Sequence, residues 1–173
     1  MTTLIIPGKP LGKQRHRMAI RRRKDGRVFT HEYTPEQTAN YETFVKLLFS
    51  EAYPDFRPHG KGACLFVIFK MFVPHSKESL KNGWIFAPLK PDEDNTKKIV
   101  YDALNHIAWA DDCQIVAGPF YKVYSERPRV EISIFEIPRN RERETLDMVE
   151  NQMMLFESYF RLIARDGEME FDV

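Results

Sequence analysis

The sequence predicts an α+β fold: a mixed, mainly antiparallel sheet with helices packed on one face, followed by a C-terminal helical extension. Three observations support this prediction. Residues 63–73 form a nearly continuous apolar run rich in β-branched and aromatic side chains. Two further β-type runs follow at 114–124 and 129–137, and we expect them to pair as an antiparallel hairpin. Between and after these runs, apolar residues recur at helical spacing.

The N-terminal part of the chain begins with a short β-type run at residues 3–6 and then carries dense positive charge. The span Lys9–Arg27 contains nine Lys or Arg residues and one acid, although the whole chain has a net charge of only +1. Residues 18–29 predict a projecting hairpin, because Asp25-Gly26 is a strong signal for a tight turn. Local charge is therefore more informative here than the average.

Two interpretations of this positive charge are open. It is either a solvated charge run, or an arm that contacts the phosphates of a nucleic acid. The density of arginine favours the second interpretation, because a guanidinium group forms paired hydrogen bonds with phosphate oxygens. On that interpretation the nucleic-acid-binding residues are Lys9, Lys13, Arg15, Arg17, Arg21, Arg22, Arg23 and Lys24.

A packing helix and a central strand are predicted in the middle of the chain. Thr34 as the N-cap and Pro35 at the first helical position begin a helix that ends near Tyr53. Its apolar residues lie on one face, and nothing in it indicates chemistry. The run at 63–73 predicts a strand that is buried on both faces, and residues 76–80 predict a short helix.

The stretch from Pro91 to Gln114 gathers acidic residues around one lysine. A helix is predicted at 95–107 because apolar residues recur on one of its faces, and Lys98 lies on the opposite face. The acidic residues are Asp92, Asp94, Asp102, Asp111 and Asp112. Several carboxylates around one cation-sized space suit a hard divalent ion such as Mg²⁺, which prefers oxygen ligands.

Each part of this stretch also has a purely structural interpretation. Asp92 and Asp94 suit a turn and a helix cap, Lys98 suits a surface ion pair, and Asp111-Asp112 suits a polar turn before a strand. Taken singly, each structural role is the commoner one, but all three have to coincide within 21 residues. A calcium EF-hand is excluded, because Lys97 stands where the loop requires glycine.

A long helix is predicted in the C-terminal extension. Apolar residues spaced alternately three and four apart form an a/d seam: Leu146, Val149, Met153, Phe156, Phe160 and Ile163. Such a seam packs on another helix, on its own copy or back on its own domain, and the sequence leaves these choices open. The predicted domains are 1–138, the main domain, and 139–173, the helical extension with an acidic end.

Composition indicates a folded domain without a cysteine metal-binding motif or a membrane span. With 43% hydrophobic and 29% charged residues, the 173-residue chain is typical of a folded domain. Its two cysteines, Cys64 and Cys113, form no metal-binding motif, and no apolar run reaches the length of a membrane span. No secretory signal is evident, so we expect a soluble protein of a reducing cytoplasm without a membrane partner.

The segments of the acidic stretch together form a specific pattern. They are Pro91-Asp92-Glu93-Asp94-Asn95, then Lys98, then Asp102-Ala103-Leu104, then Trp109-Ala110-Asp111-Asp112-Cys113-Gln114-Ile115. This combined pattern resembles the RusA family of Holliday junction resolvases, and the basic segment at 8–17 is similar to the family's N-terminal loop. The resemblance extends over about Thr3 to Ile137. It does not include the ribbon at 21–29 or the chain after 138.

The resemblance implies a dimeric, magnesium-dependent endonuclease of bacteria or their phages. The catalytic residues that it implies are Asp92, Asp94, Asp112 and Lys98, and the metal ligands that it implies are Asp92, Asp94, Asp112 and Asp111. Asp111 is a further ligand or a support for the ligands. Asp102, which matches the aspartate of the family's D-A-L segment, is expected to have a structural or supporting role.

We therefore expect a cytoplasmic, homodimeric endodeoxyribonuclease, bacterial or encoded by a prophage, that resolves four-way DNA junctions in recombination and repair. Mg²⁺ is the expected cofactor, and Mn²⁺ is expected to substitute for it. A two-fold dimer offers two copies of one site, which suits paired symmetric nicks. Two alternatives stay open: a metal-dependent nuclease that acts on other branched DNA or on RNA, and a non-catalytic DNA-binding protein whose acids are caps and ion pairs.

Overall fold

The computed structural model describes residues 1–15, 17–22 and 27–169. The chain forms two compact units, Met1–Glu136 and a second unit that starts at Ile137. The elements up to the end of the sheet are β1 (Thr2–Pro7), β2 (Arg17–Arg22), β3 (Val28–Tyr33), α1 (Glu36–Ala52), β4 (Cys64–Val73), α2 (Lys77–Asn82), α3 (Glu93–Leu104), β5 (Ile115–Ala117), β6 (Phe120–Tyr124) and β7 (Arg129–Ile137). The predicted α+β fold with a mixed sheet is confirmed.

Strand β4 is the centre of the five-stranded sheet. The order is β1-β7-β4-β5, and β6 also pairs with β4. β1 runs antiparallel to β7, whereas β5 and β6 run parallel to β4 and pair with successive parts of it. The expected hairpin between residues 114–124 and 129–137 is therefore wrong, because both of these segments pair with β4 and not with each other.

The burial of β4 alternates along its ten residues. The buried side chains, which face the helices, are Leu65, Val67, Phe69, Met71 and Val73. The side chains between them are only half-buried, so the prediction that both faces are buried is wrong. The second face is covered by side chains instead of helices; for example, the guanidinium of Arg129 lies 3.6 Å from the centre of the Phe72 ring.

Helices α1 and α3 cover the first face of the sheet and share one core with it. Val45 and Phe49 of α1 and Ile99 of α3 are fully buried in that core. α1 begins after Pro35, so the predicted cap at Thr34 is one residue too early. α3 begins and ends earlier than the predicted 95–107, because the residue at 92 already takes the N-cap position and the chain leaves the helix at residue 105.

Strands β2 and β3 form a separate antiparallel ribbon, as the sequence predicts. The last described pair of the ribbon is Arg22 with Val28. The predicted turn at Asp25-Gly26, together with Arg23 and Lys24, lies outside the described residues.

The second unit contains one long helix, α4 (Glu142–Met169), which follows a short 3₁₀ turn at Arg139–Arg141. The predicted C-terminal helix is thus confirmed. Apolar side chains of its seam, such as Phe156 and Phe160, are exposed within the chain. Across the described ranges, no helix combines the length and the apolar character that a membrane span needs.

Candidate active site

Asp92 and Asp94 lie at the beginning of α3, where both residues are exposed. Asp92 is the N-cap residue, and its backbone carbonyl accepts hydrogen bonds from the backbone N–H and the hydroxyl of Thr96, at 3.1 and 3.0 Å. Its side chain makes no capping hydrogen bond. Neither the carboxylate of Asp92 nor that of Asp94 has a hydrogen bond or ion pair with another described residue, and both residues are exposed. The purely structural interpretation of Asp92 as a capping side chain is therefore not what the structure shows.

The basic N-terminal loop packs against this end of α3. The backbone N–H of Lys13 donates to the carbonyl of Asn95 at 2.9 Å. At Gly12, a Cβ atom would lie only 3.2 Å from the side chain of Pro91, so glycine permits this close approach. Between the loop and the helix is a groove of about 400 Å³, lined by Lys9, Pro10, Leu11, Gly12, Lys13, Gln14, Lys90, Pro91, Asp92 and Asn95. The groove thus places lysines beside a free carboxylate.

Lys13 holds the loop in place through two ion pairs. Its ammonium group bonds to Glu42 of α1 at 3.0 Å and also to Asp102 of α3. Burial disfavours the charged ammonium, but the hydrogen bonds that it donates to Asp102 and Glu42 outweigh this effect and raise the pKa of Lys13. Two carboxylates already neutralise the charge of Lys13, whereas the basic residues Lys9 and Arg15 are exposed to solvent. No local pattern predicts the contact between Lys13 and Asp102, which joins residues 89 positions apart.

Asp112 lies in a short 3₁₀ turn, Asp112–Gln114, and is half-buried beside other charged groups. Burial raises the pKa of Asp112, and the negative charges of Asp102 and Asp111 raise it further. The positive charge of Lys98, which is exposed on α3, partly offsets this rise. The structure therefore brings Asp112 into the electrostatic reach of Lys98, although the two lie on different elements.

The side chain of Asp111 caps the same turn. Its carboxylate accepts a hydrogen bond from the backbone N–H of Cys113 at 2.9 Å and caps the 3₁₀ turn. Hydrogen bonding from Cys113 lowers the pKa of Asp111. For Asp111, the polar-turn interpretation of the sequence thus describes the observed contact, and a role as metal ligand stays a prediction.

Gln114 fixes this turn to the chain before β4. Its buried side-chain oxygen accepts hydrogen bonds from the backbone N–H groups of Ala110 and Asp111, at 2.8 and 3.0 Å. Its side-chain nitrogen donates to the carbonyls of Gly60 and Ala63, at 2.8 and 3.2 Å. The sequence pattern contains this glutamine without revealing its role. A signal for that role is its position two residues after the acidic pair.

In the described part of the chain, the candidate metal ligands are not arranged as a complete metal-binding site. Within the described ranges, no three Asp, Glu, His or Cys side chains lie close enough together to hold one ion. The donor chemistry nevertheless fits a hard divalent cation: the carboxylates of Asp92 and Asp94 have no partner among the described residues, and burial and like charges disfavour the ionised form of Asp112.

The predicted DNA-contacting residues are distributed between the loop and the ribbon. Lys9, Arg15 and Arg22 are exposed. Arg17 and Arg21 lie in strand β2, and their side chains are outside the described part of the structure, as are Arg23 and Lys24.

Comparison with known proteins places this geometry in a family. The family model described as "Endodeoxyribonuclease RusA" matches residues 7–135. The "Uncharacterized protein YqaN" of Bacillus subtilis (strain 168) is 33% identical over 139 residues, which cover 76% of this chain and 94% of the relative. The family match includes the basic loop, the groove, α3 and the turn with Asp112, and it ends before α4. The chain belongs to the RusA endodeoxyribonuclease family.

Proposed function

We propose that the chain is a magnesium-dependent, structure-selective endodeoxyribonuclease that resolves four-way DNA junctions by paired symmetric nicks. The observation that carries this proposal is the free carboxylate pair of Asp92 and Asp94 beside a groove lined by Lys9 and Lys90. A phosphodiester backbone in this groove has its charge balanced by the lysines while a phosphate lies next to the carboxylates. Membership of the RusA family supports the same reaction.

Asp92, Asp94 and Asp112 are the residues that would hold Mg²⁺, and Mn²⁺ is expected to substitute because it prefers the same oxygen ligands. Bound there, Mg²⁺ would supply Lewis-acid chemistry that makes a water molecule more acidic and offsets charge on the scissile phosphate. Lys98 is exposed and within the electrostatic reach of Asp112, so its ammonium group is available to a non-bridging phosphate oxygen. Gln114 keeps Asp112 in position by fixing the turn that carries it.

A cleavage assay on several substrates tests the proposed function. We expect the protein to cut a four-way junction in Mg²⁺ faster than a flap or a linear duplex of the same sequence, at one salt concentration. Chelation of the metal is expected to stop cleavage without stopping binding. Faster cleavage of the flap or of an RNA substrate would favour a different nuclease. Binding without cleavage of any substrate would favour a non-catalytic DNA-binding protein.

Paired nicks require two active sites, and we propose that the functional unit is a homodimer. Helix α4 presents exposed apolar side chains at heptad spacing, which is the pattern of a helix that packs on another helix. Deletion of the chain after Ile137 is expected to weaken self-association by about 10-fold or more, as measured by sedimentation equilibrium. The control is Ser158→Glu, which introduces an acid at an exposed position on the polar side of α4. Unchanged dimer affinity after the deletion would exclude α4 from the interface.

A further inference from the structure

The segment Trp84–Leu89, here named the aromatic edge, leads from α2 towards α3 and runs beside β6. Phe86 forms an antiparallel bridge with Val123, and the backbone N–H of Tyr124 donates to the carbonyl of Ile85 at 2.9 Å. These contacts fix the backbone of the aromatic edge as the outer border of the sheet.

The side chains of the aromatic edge point mostly into solvent. Ala87 is buried, but Trp84 is 43% exposed and Phe86 is 71% exposed. Ile85 beside them is also exposed. Single apolar residues on a surface are ordinary, whereas several in one short segment indicate a contact with another molecule.

Positive charge flanks this apolar surface along the chain. The chain has no acidic residue between Glu78 and Asp92, and this interval contains the exposed residues Lys81 and Lys90. The ammonium group of Lys122 donates to the carbonyls of residues 89 and 91, at 2.6 and 3.2 Å. The aromatic edge is therefore tied directly to the wall of the groove that contains Asp92.

We propose that the aromatic edge is a stacking surface for unpaired nucleotides of the DNA substrate. The faces of Trp84 and Phe86 suit bases, which stack on aromatic rings whatever their sequence, and Lys81 and Lys90 suit the phosphates between those bases. This inference rests on the proposed function and extends it, because the surface continues into the groove beside Asp92.

A second copy of the chain fits this surface less well. In a two-fold contact the same patch faces itself, so lysines of one copy would lie against lysines of the other. Between Glu78 and Asp92 the sequence offers no acid to compensate for them, whereas DNA offers a phosphate for each lysine.

Tryptophan fluorescence tests the proposal on the full chain. The protein has two tryptophans: Trp84 is exposed, whereas Trp109 is fully buried. We expect a thymidine oligonucleotide of about 15 residues, added in EDTA so that no cleavage occurs, to quench the emission of the wild type. The Trp84→Phe variant, which emits only from Trp109, is expected to show no quenching. Anisotropy of a labelled oligonucleotide measures binding in the same solutions.

A second variant measures the effect on affinity. Phe86→Ala is expected to weaken binding of the oligonucleotide by about 10-fold, the effect of losing one stacked base. Leu47→Ala, which removes a similarly exposed apolar side chain from α1, is expected to leave binding unchanged.

The possible failures are distinguishable. Oligonucleotide binding with unchanged Trp84 emission would overturn the stacking surface and leave the proposed nuclease intact. A change of emission with protein concentration alone, without DNA, would assign the surface to a second copy and would also overturn the inference. No binding to the oligonucleotide or to a four-way junction would overturn the proposed function together with it.

Discussion

Replacement of Asp112 by asparagine is expected to reduce junction cleavage by about 1000-fold or more and, at neutral pH, to increase thermal stability. The loss of activity follows from the proposed role of this carboxylate as a ligand, since an amide binds a hard divalent ion more weakly. The gain in stability follows from the surroundings of Asp112, where burial and the charges of Asp102 and Asp111 disfavour ionisation. A loss of cleavage together with a gain in thermal stability is expected when a residue serves function at a cost in stability.

The pH dependence of this gain has a definite sign. The pKa of Asp112 in the folded protein is raised above its ordinary value of 3.8. Above the folded pKa the ionised side chain lowers the free energy of unfolding, and this penalty disappears as the pH falls towards 3.8 and the group is protonated. The stabilisation by Asp112→Asn is therefore expected at pH 7 and is expected to shrink near pH 4, as measured by thermal unfolding.

Asp111 provides a matched control for Asp112. Its pKa is lowered by hydrogen bonding from Cys113, so its charge stabilises the turn. The Asp111→Asn variant is therefore expected to change stability in the opposite direction. An Asp112→Asn protein that melts earlier than the wild type at pH 7, or that cleaves junctions at the wild-type rate, would contradict this account of Asp112.

Replacement of Gln114 by glutamate is expected to lower the free energy of unfolding by about 2–3 kcal/mol. Glutamate keeps the shape of the side chain and its acceptor oxygen. It puts a second carboxylate oxygen against the carbonyls of Gly60 and Ala63, where the glutamine nitrogen now donates two hydrogen bonds. Because the same turn carries Asp112, cleavage is expected to fall together with stability.

Urea unfolding measures the first effect, and junction cleavage at a temperature where the variant is folded measures the second. Gln152→Glu is the matched control, because it makes the same chemical change at an exposed position of α4 and is expected to change stability by less than about 0.5 kcal/mol. If Gln114→Glu changed stability as little as this control, the four hydrogen bonds of Gln114 would not be what fixes the turn.

Local sequence pattern predicts the elements of this fold better than it predicts their pairing. The apolar run that becomes β4 and the helical periodicity of α3 are both visible in the sequence. Which strands pair is decided by contacts far apart in the chain. The runs that become β6 and β7 follow each other closely and suggest a hairpin, yet each pairs with β4, whose ten residues are long enough to pair with both β5 and β6.

In the candidate site, too, local pattern is visible in the sequence, whereas contacts between residues far apart in the chain are not. Asp92, Asp94 and Asp112 are predicted from the pattern that resembles the family, and the free side chain of Asp92 agrees with a role other than capping. Their role as metal ligands stays a prediction. The ion pairs of Lys13 are not recognisable, because a basic loop residue and an acid on a later helix share no local pattern. The position of each charged group, more than its identity, is what the sequence leaves open.

We propose that the acids at the beginning of α3 act in catalysis as individual residues and not as general negative charge. Junction cleavage in Mg²⁺ by Asp92→Asn, Glu93→Gln and Asp94→Asn tests this directly. Glu93 is the control within the same helical turn, exposed like its neighbours but paired with Lys97 at 2.7 Å. We predict that the wild type and Glu93→Gln convert a four-way junction into two nicked duplexes, whereas Asp92→Asn and Asp94→Asn bind the junction without cutting it. Full cleavage by both aspartate variants, or an equal loss in Glu93→Gln, would contradict the claim.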